Sequence, residues 1–325
     1  MKVKVLSEEV ANKIAAGEVI ERPASVVKEL VENAIDAGAD KVVVSVENGG
    51  KDLIQITDNG EGMNEDDAIL AFERHATSKI HAVTDIFNIS TLGFRGEALP
   101  SIASVSNTIL VTRDKNSELA TVIEFNGGKL KDISKAAANI GTTITVKKLF
   151  NNVVARKKFL KGDQIEFKHI FKYIHYQSIV HPDIQFSLIS NGKQKLNYPR
   201  AASINERMSA VFGANFFEND LIEINSQSDQ IKIKGYIFGL NEKYEGYEEY
   251  NYIFVNGRFI RDRIIIHAIK TAYEPFTKKL RLNLQGKTPP YILFLEVEPE
   301  KVDFNVHPAK LEIRFRDGQL IHSFV

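Results

Sequence analysis

KELVENAIDAG, residues 28 to 38, is the stretch that decides the fold. Glu29, Glu32, Asn33 and Asp36 fall at i, i+3, i+4 and i+7, so one helical face carries all four. Val26, Val27, Leu30 and Ala34 supply the apolar side of the same helix. Pro23 suits its first position and Gly38 its stop. A carboxylate and a carboxamide one turn apart can set a general base beside a magnesium ligand. Magnesium takes only one or two protein oxygens and completes its shell with phosphate and water. A solvated polar face on an amphipathic helix gives the same pattern, so the chemistry needs company from elsewhere in the chain.

Outward from this helix, residues 42 to 46 (VVVSV) and 53 to 57 (LIQIT) read as strands, joined by the turn signal ENGG at 47 to 50. The stretch from 64 to 107 is mixed and helical in parts. Strand patterns follow at 108 to 113, 119 to 125 and 142 to 147. A helix covers 163 to 178, and a hairpin at 184 to 198 turns at Asn191-Gly192. NYPRAASIN, from Asn197 to Asn205, breaks the periodicity and marks a domain boundary. This gives a first domain over 1 to 200 and a second over 206 to 325. Strands at 231 to 239, 250 to 255 and 291 to 298 lie beyond it, with a helix near 262 to 276. Strands and helices are mixed rather than strictly alternating, which predicts an α+β fold in both halves. DGQLIHSFV, the last nine residues, opens a helix without a stop signal, so the chain is expected to end inside a larger protein.

The 325 residues are 43% hydrophobic and 26% charged, enough for two domains with a large core. Lys plus Arg and Asp plus Glu both total 42, so net charge is zero. Any nucleic-acid or membrane surface must then be a local patch. The absence of cysteine excludes disulfides, thiolate zinc sites and cysteine nucleophiles, and fits a reducing cytoplasm. MKVKVLSEEVANKIAAGEV has no apolar core and early acids, so it does not read as a signal peptide. No apolar run approaches the length of a membrane span.

Further motifs supply the company. TDNGEGM, residues 57 to 63, follows a strand whose alternation ends at Asp58. Gly60 and Gly62 let the backbone approach a ligand closely. A carboxylate at a strand end suits an exocyclic amine such as that of adenine, although an ordinary Asp/Asn/Gly turn has the same composition. In TLGFRGEAL, residues 91 to 99, Gly93 and Gly96 flank Phe94 and Arg95 before a helix start, where free N–H groups can hold phosphate. HATSK, 75 to 79, contributes Lys79, and NVHPAK, 305 to 310, contributes Lys310. QGKT at 285 to 288 is no P-loop, because Arg281 stands where its first glycine belongs. The eight histidines show no metal-binding spacing.

ELVENAIDAGA, DNGEGM, HATSKI, GFRGEAL, GTT, NGR and NVHPAK occur here in the order and spacing of the MutL family of DNA mismatch-repair proteins. From Leu6 to Ala39 the chain resembles that family almost residue for residue, and the resemblance runs to its end. HATSK, GFRGEAL and HPAK separate this family from relatives in the GHKL ATPase superfamily, among them type II topoisomerase ATPase subunits. The resemblance implies a Bergerat-type α/β sandwich followed by a domain like the second domain of ribosomal protein S5. It implies ATP and Mg2+ as cofactors, with Glu29 as general base and Asn33 as the Mg2+ ligand. Asp58 would bind the adenine amine, Gly60, Gly62 and Met63 would line the adenine edge, and the Thr143 hydroxyl would support the same contact. Lys79, Gly93, Phe94, Arg95, Gly96, Ala98 and Leu99 would belong to a lid over about 70 to 100 that meets the phosphates. Lys310 would reach the γ-phosphate from the second domain.

The resemblance further implies slow hydrolysis, homodimerisation on ATP binding through an N-terminal arm over 1 to 20, and a cytoplasmic location. Its partners would be DNA without sequence preference, a MutS-type mismatch recognition protein, and a downstream nuclease or helicase, with no membrane. One departure is visible. Val153 and Val154 in NNVVARKKFL stand where the family has Thr and Pro, while Arg156, Lys157, Lys158 and Lys161 keep the segment basic. These four, with Arg261 and Arg263 of RFIRDR, are the candidate DNA contacts; scattered, solvated charges would look alike. Two other readings stand beside the first: a type II topoisomerase-like ATPase subunit, and an inactive scaffold. The presence of Glu29, Asn33, Asp58 and Lys310 together disfavours the scaffold.

Overall fold

In the computed structural model, residues 16–17, 19–74, 76, 96–218, 221–239, 251–279, 290–303 and 313–325 are described. Helix α1 (Pro23–Asp36) forms where the apolar spacing predicts it. Val26, Val27, Leu30, Val31 and Ala34 are all buried. Burying each Val or Leu stabilises the fold by about 1.5–3 kcal/mol, so this face fixes the helix in place. Its end is a Schellman motif. Gly38 takes φ +70° and donates to the Ile35 carbonyl at 3.0 Å, and Ala39 donates to the Ala34 carbonyl at 3.1 Å.

The chain divides into two compact units, Met1–Arg207 and Met208–Val325, just beyond the segment from Asn197 to Asn205. The first unit is built on one eight-stranded sheet. Its strands are β1 (Lys41–Glu47), β2 (Leu53–Asp58), β3 (Asn107–Arg113), β4 (Ala120–Asn126), β5 (Lys129–Ala136), β6 (Gly141–Lys147), β7 (Gln185–Ser190) and β8 (Lys193–Tyr198). They run in the order β5-β4-β3-β6-β2-β1-β7-β8. All pairs are antiparallel except β1 with β7. Val42, Val44 and Val46 of β1 and Ile54 and Ile56 of β2 alternate into one core with α1. That core also takes side chains from α2 (Glu65–Leu70), α3 (Ala98–Ser104) and α5 (Asp163–Val180). The short α4 (Val154–Phe159) precedes α5 and buries none of its residues.

The sequence reading lacks β5. Its residues KLKDISKA are exposed or half-exposed throughout, so no period of two marks them. The edge strands β5 and β8 carry Lys129, Lys131, Lys135, Lys193 and Lys195, charges that discourage pairing with another sheet. Between β7 and β8, Asn191 (φ +48°) and Gly192 (φ +72°) make the tight turn that the Asn-Gly pair predicts. Helix α6 (Ile204–Phe212) begins at the end of this unit. Its Arg207 is fully buried and donates to the carbonyls of Ser178, Pro182, Ile184 and Pro199 at 2.7–2.8 Å.

The second unit has a five-stranded sheet of β9 (Leu221–Gln227), β10 (Ile231–Phe238), β11 (Asn251–Val255), β12 (Arg258–Ile260) and β13 (Tyr291–Val297), in the order β12-β11-β13-β10-β9. Ile265 and Ile269 of α7 (Arg263–Lys279) and Ile321 of α8 (Gly318–Phe324) join its core. A two-stranded ladder joins β14 (Val302–Asp303) to β15 (Arg314–Phe315). The Asn256-Gly257 turn of the NGR motif has φ +47° and +75°. The Asn256 side chain pairs with the backbone of Val297, accepting its N–H at 2.9 Å and donating to its carbonyl at 2.8 Å. Among the described residues no helix is long and apolar enough to cross a membrane.

Candidate functional site

Three chain segments converge beside α1. Strand β2 ends at Asp58, the loop Asn59–Asn64 follows, and β6 runs antiparallel to β2 on its other side. The period of two puts Ile54, Ile56 and Asp58 on the face of the sheet toward α1. The strand that buries its isoleucines in the core thus ends in a carboxylate at the margin of that core.

Asp58 Oδ1 accepts the Gly60 N–H at 2.9 Å and the Thr142 N–H at 3.3 Å. Burial raises the carboxyl above the usual aspartate range, and these two N–H bonds oppose the rise. Both bonds end on the same oxygen. Asn59 is occupied differently: its Oδ1 accepts the N–H groups of Asp40 and Lys41 at 3.1 and 2.9 Å, and its Nδ2 donates to Asp40 Oδ1 at 2.7 Å. It fastens the loop to the start of β1.

The glycines of this loop are fixed by contact. A Cβ on Gly60 would lie 2.7 Å from the Ala37 carbonyl at the end of α1, and one on Gly62 (φ +68°) would lie 2.0 Å from the Arg113 carbonyl. Glu61 N–H donates to that same Ala37 carbonyl at 3.0 Å. The loop is therefore pinned between the end of α1 and the end of β3. Met63 N–H donates to Thr112 Oγ1 at 3.0 Å, and Thr112 Oγ1 lies 2.9 Å from Thr142 Oγ1.

Glu29 and Asn33 lie one turn apart on α1, both half-buried. Lys28 Nζ stands 3.8 Å from Glu29 Oε1. Gly96 takes φ +60°, and a Cβ there would lie 2.4 Å from the Ala76 carbonyl. Ala98 and Leu99 open α3, with Leu99 buried. Lys79, Gly93, Phe94, Arg95 and Lys310 lie outside the described residues.

Thr143 lies on the face of the sheet opposite Asp58. Its register partner is Thr57, and its hydroxyl donates to Thr57 Oγ1 at 3.1 Å. That pair is one residue out of step with Asp58, so it points to the opposite face of the sheet. Thr142 is the partner of Asp58 and shares its face. Thr112 lies outside every motif quoted above, while Gly141 and Thr142 lie inside GTT. The alternation of Thr142 with Ile144 and Val146 along β6 marks Thr142 as sharing their face.

The basic segment also divides. Arg156 turns inward, donating to the Ile20 carbonyl at 3.3 Å with its guanidinium 5.8 Å from the Phe150 ring centre. A Cβ on Gly17 would collide with that guanidinium. Lys157, Lys158 and Lys161 are exposed, as are Arg261 and Arg263 in the second unit.

Residues 20–158 match the family described as histidine kinase-, DNA gyrase B- and HSP90-like ATPase, and residues 208–325 match the DNA mismatch repair protein, C-terminal domain. The DNA mismatch repair protein MutL of Solibacter usitatus is 44% identical across the whole of this chain, which covers 52% of that protein. The chain belongs to the MutL family. It spans about half the length of the curated relatives it matches. A solved N-terminal domain of a DNA repair protein superposes with TM-score 0.78 at 27% identity, covering 97% of this chain and 95% of that one. The Aquifex aeolicus MutL ATPase domain complexed with ADP gives TM-score 0.62 at 25% identity, covering 94% and 97%. The first unit of this MutL chain is thus a GHKL ATPase domain, and the second is the domain that follows it in the family.

Proposed function

We propose that this chain binds ATP between α1 and the loop after β2 and hydrolyses it slowly, as a nucleotide switch in mismatch repair. The observation that carries this reading is Asp58. It is a half-buried carboxylate held on one oxygen by two backbone N–H groups, which leaves Oδ2 to accept the adenine amine. A buried acceptor without such a donor would cost about 1–3 kcal/mol, so the site favours a ring that offers an N–H there. Thr142 takes the supporting place assigned to Thr143, and Gly60, Gly62 and Met63 form the wall against the ring edge.

Glu29 takes a proton from the water aligned on the γ-phosphate, worth about 10²–10⁴ in rate. Asn33, one turn on, would hold Mg2+ through its amide oxygen. When bound, the ion offsets phosphate charge. Among the described residues no cluster of three or more histidine and carboxylate groups could hold a metal by itself. An ion ligated mainly by phosphate and water needs none. Lys79, Gly93, Phe94, Arg95, Gly96, Ala98, Leu99 and Lys310 complete the phosphate site on the strength of the family motifs. ATP-dependent homodimerisation, contact with DNA, a MutS-type recognition protein and a downstream nuclease or helicase belong to the same reading. So does a cytoplasmic location.

Nucleotide titration and turnover of Glu29→Ala test it. The variant should bind ATP as tightly as the parent and lose hydrolysis. Full turnover would remove Glu29 from the mechanism, and Asn33→Ala with unchanged magnesium-dependent affinity would remove Asn33.

A further inference from the structure

Helix α1 starts without a side-chain cap. Arg22 stands at its N-cap in an extended conformation, and its side chain makes no cap bond. Just before it, Ile20 closes a helical turn by donating its N–H to the Ala16 carbonyl at 2.8 Å. Ala16 and Ile20 are both fully buried. Pro23 has no N–H to return to the Ile20 carbonyl. The donor comes instead from another element: Arg156 of α4 gives an Nη1 hydrogen to that carbonyl at 3.3 Å. A cation at the carbonyl end of a helical turn is favoured by the turn's dipole as well as by the bond.

The seat of Arg156 is a strained piece of backbone. After β6, Lys148 (φ +54°) and Phe150 (φ +61°) both take the left-handed conformation without being glycine. Such residues cost about 1–3 kcal/mol each and persist only where the surroundings hold them. Here Lys148 N–H donates to the Asp52 carbonyl at 3.0 Å and Phe150 N–H to the Val105 carbonyl at 2.8 Å. The turn brings the fully buried Phe150 ring under the guanidinium, 5.8 Å from its centre. On the other side Gly17 leaves room, since a Cβ there would collide with the guanidinium. A second bond meets α1 farther along. Tyr173 of α5, half-buried, donates its hydroxyl to the Lys28 carbonyl at 3.3 Å. The carbonyls of residues 20 and 28 thus bracket the start of α1, and Glu29 follows the second directly. The apolar face holds α1 on the sheet, and these two bonds set the placement of its first two turns. Both are long, so neither adds much stability.

We propose that Arg156 and Tyr173 are positioning residues for hydrolysis, acting through the backbone of α1 to hold Glu29 against the attacking water. The inference rests on the reading of Glu29 as general base and gives Arg156 a task other than DNA contact. A misplacement of about 1 Å costs on the order of 10²-fold in rate, so loss of one bond, which moves the carboxylate less, should cost about 3–10-fold. The experiment is single-turnover ATP hydrolysis by the whole chain, with the nucleotide dissociation constant measured beside it. Tyr173→Phe and Arg156→Ala should each slow hydrolysis by that factor and leave the dissociation constant unchanged. Methylguanidinium should restore the rate of Arg156→Ala and do nothing for Tyr173→Phe. Gly17→Ala should slow hydrolysis as Arg156→Ala does. The double variant should be no slower than either alone, because the added methyl collides only with a guanidinium that is present. Should Arg156→Ala fail to fold, Tyr173→Phe decides, since it removes a single hydroxyl. Unchanged hydrolysis in the folded variants, or a loss matched by weaker nucleotide binding, overturns the proposal while Glu29 keeps its role. A slowed Arg156→Ala that methylguanidinium cannot restore also overturns it, leaving the guanidinium as packing. Full turnover in Glu29→Ala overturns the reading beneath it.

Discussion

Thr142 donates its N–H to Asp58 Oδ1 at 3.3 Å, from the residue directly opposite on the neighbouring strand. The bond places the carboxylate by the register of two core strands rather than by a loop. Behind it, Gly141 at φ +120° brings its backbone so close that a Cβ would lie 2.2 Å from the Asp58 carbonyl.

Asp58→Asn separates the charge from the shape. Asparagine keeps an oxygen for the Gly60 and Thr142 N–H groups but presents an NH2 to the ligand, donor against donor. Nucleotide affinity should fall by about 1–3 kcal/mol, or roughly 5–150-fold. The sign for stability is the reverse. Burial raises this carboxyl, so its folded pKa exceeds the unfolded one, and the ionised form weakens the fold as pH rises through the unfolded value. At neutral pH the variant should therefore be no less stable than the parent. A lowered urea midpoint with unchanged nucleotide affinity would refute both halves.

The register of β6 distinguishes two adjacent threonines. Thr142→Val removes a hydroxyl on the Asp58 face, one that meets Thr112 Oγ1 at 2.9 Å. Nucleotide binding should weaken by about 1 kcal/mol, a fewfold effect. Thr143→Val removes a hydroxyl from the opposite face, where it meets Thr57, and affinity should not change. Isothermal titration of both variants checks this, and equal losses would mean that the strand is out of the register seen here.

Gly62→Ala tests whether the loop must touch β3. The residue combines φ +68° with a Cβ position 2.0 Å from the Arg113 carbonyl, and backbone cannot yield as a side-chain tip can. Strain at such positions costs about 1–3 kcal/mol, and the clash adds to it. The expected result is a lower unfolding midpoint together with weakened nucleotide binding. Gly192→Ala is the control. Its φ is +72°, but a Cβ there meets nothing within 4 Å, so it should lose stability alone.

The sequence made α1 legible because three independent signals agree on it: apolar spacing, Pro23 at the start and Gly38 at the stop. The Asn191-Gly192 hairpin was legible because a two-residue turn with both φ positive admits few residue types. Strand β5 was not, since an edge strand exposed on both sides has no periodicity to display. Strand β9 escaped for the same reason, with its residues largely exposed. At the site, motif spacing singles out Glu29, Asn33 and Asp58. It could not tell which of Thr142 and Thr143 shares the face of Asp58, because that depends on strand register, which exists only once β2 and β6 are paired. Arg156 misled by composition: a basic residue in a basic run reads as surface, yet its guanidinium serves the Ile20 carbonyl. Arg207 gave no sign at all that four carbonyls surround it.

Two half-buried histidines, His175 of α5 and His181 just past its end, set an acid limit on the first unit. Burial lowers His175 from its ordinary value to about 4, with Phe171 stacked 6.0 Å away and the Tyr198 hydroxyl 3.5 Å from its Nδ1. His181 is lowered too, mainly by burial, with Asp183 opposing and Arg207 assisting. A histidine held below its unfolded value binds its proton more readily in the unfolded chain. Its contribution is therefore complete above about pH 6.5 and is lost progressively as pH falls toward the folded value. For His175 the loss amounts to about 2–3 kcal/mol across that window. Urea midpoints measured from about pH 7 to about pH 4 should fall with acidification, and His175→Phe, which cannot take up the proton, should flatten much of the decline. A parent chain equally stable at both ends of the window would mean that this imidazole is solvated rather than packed against Phe171.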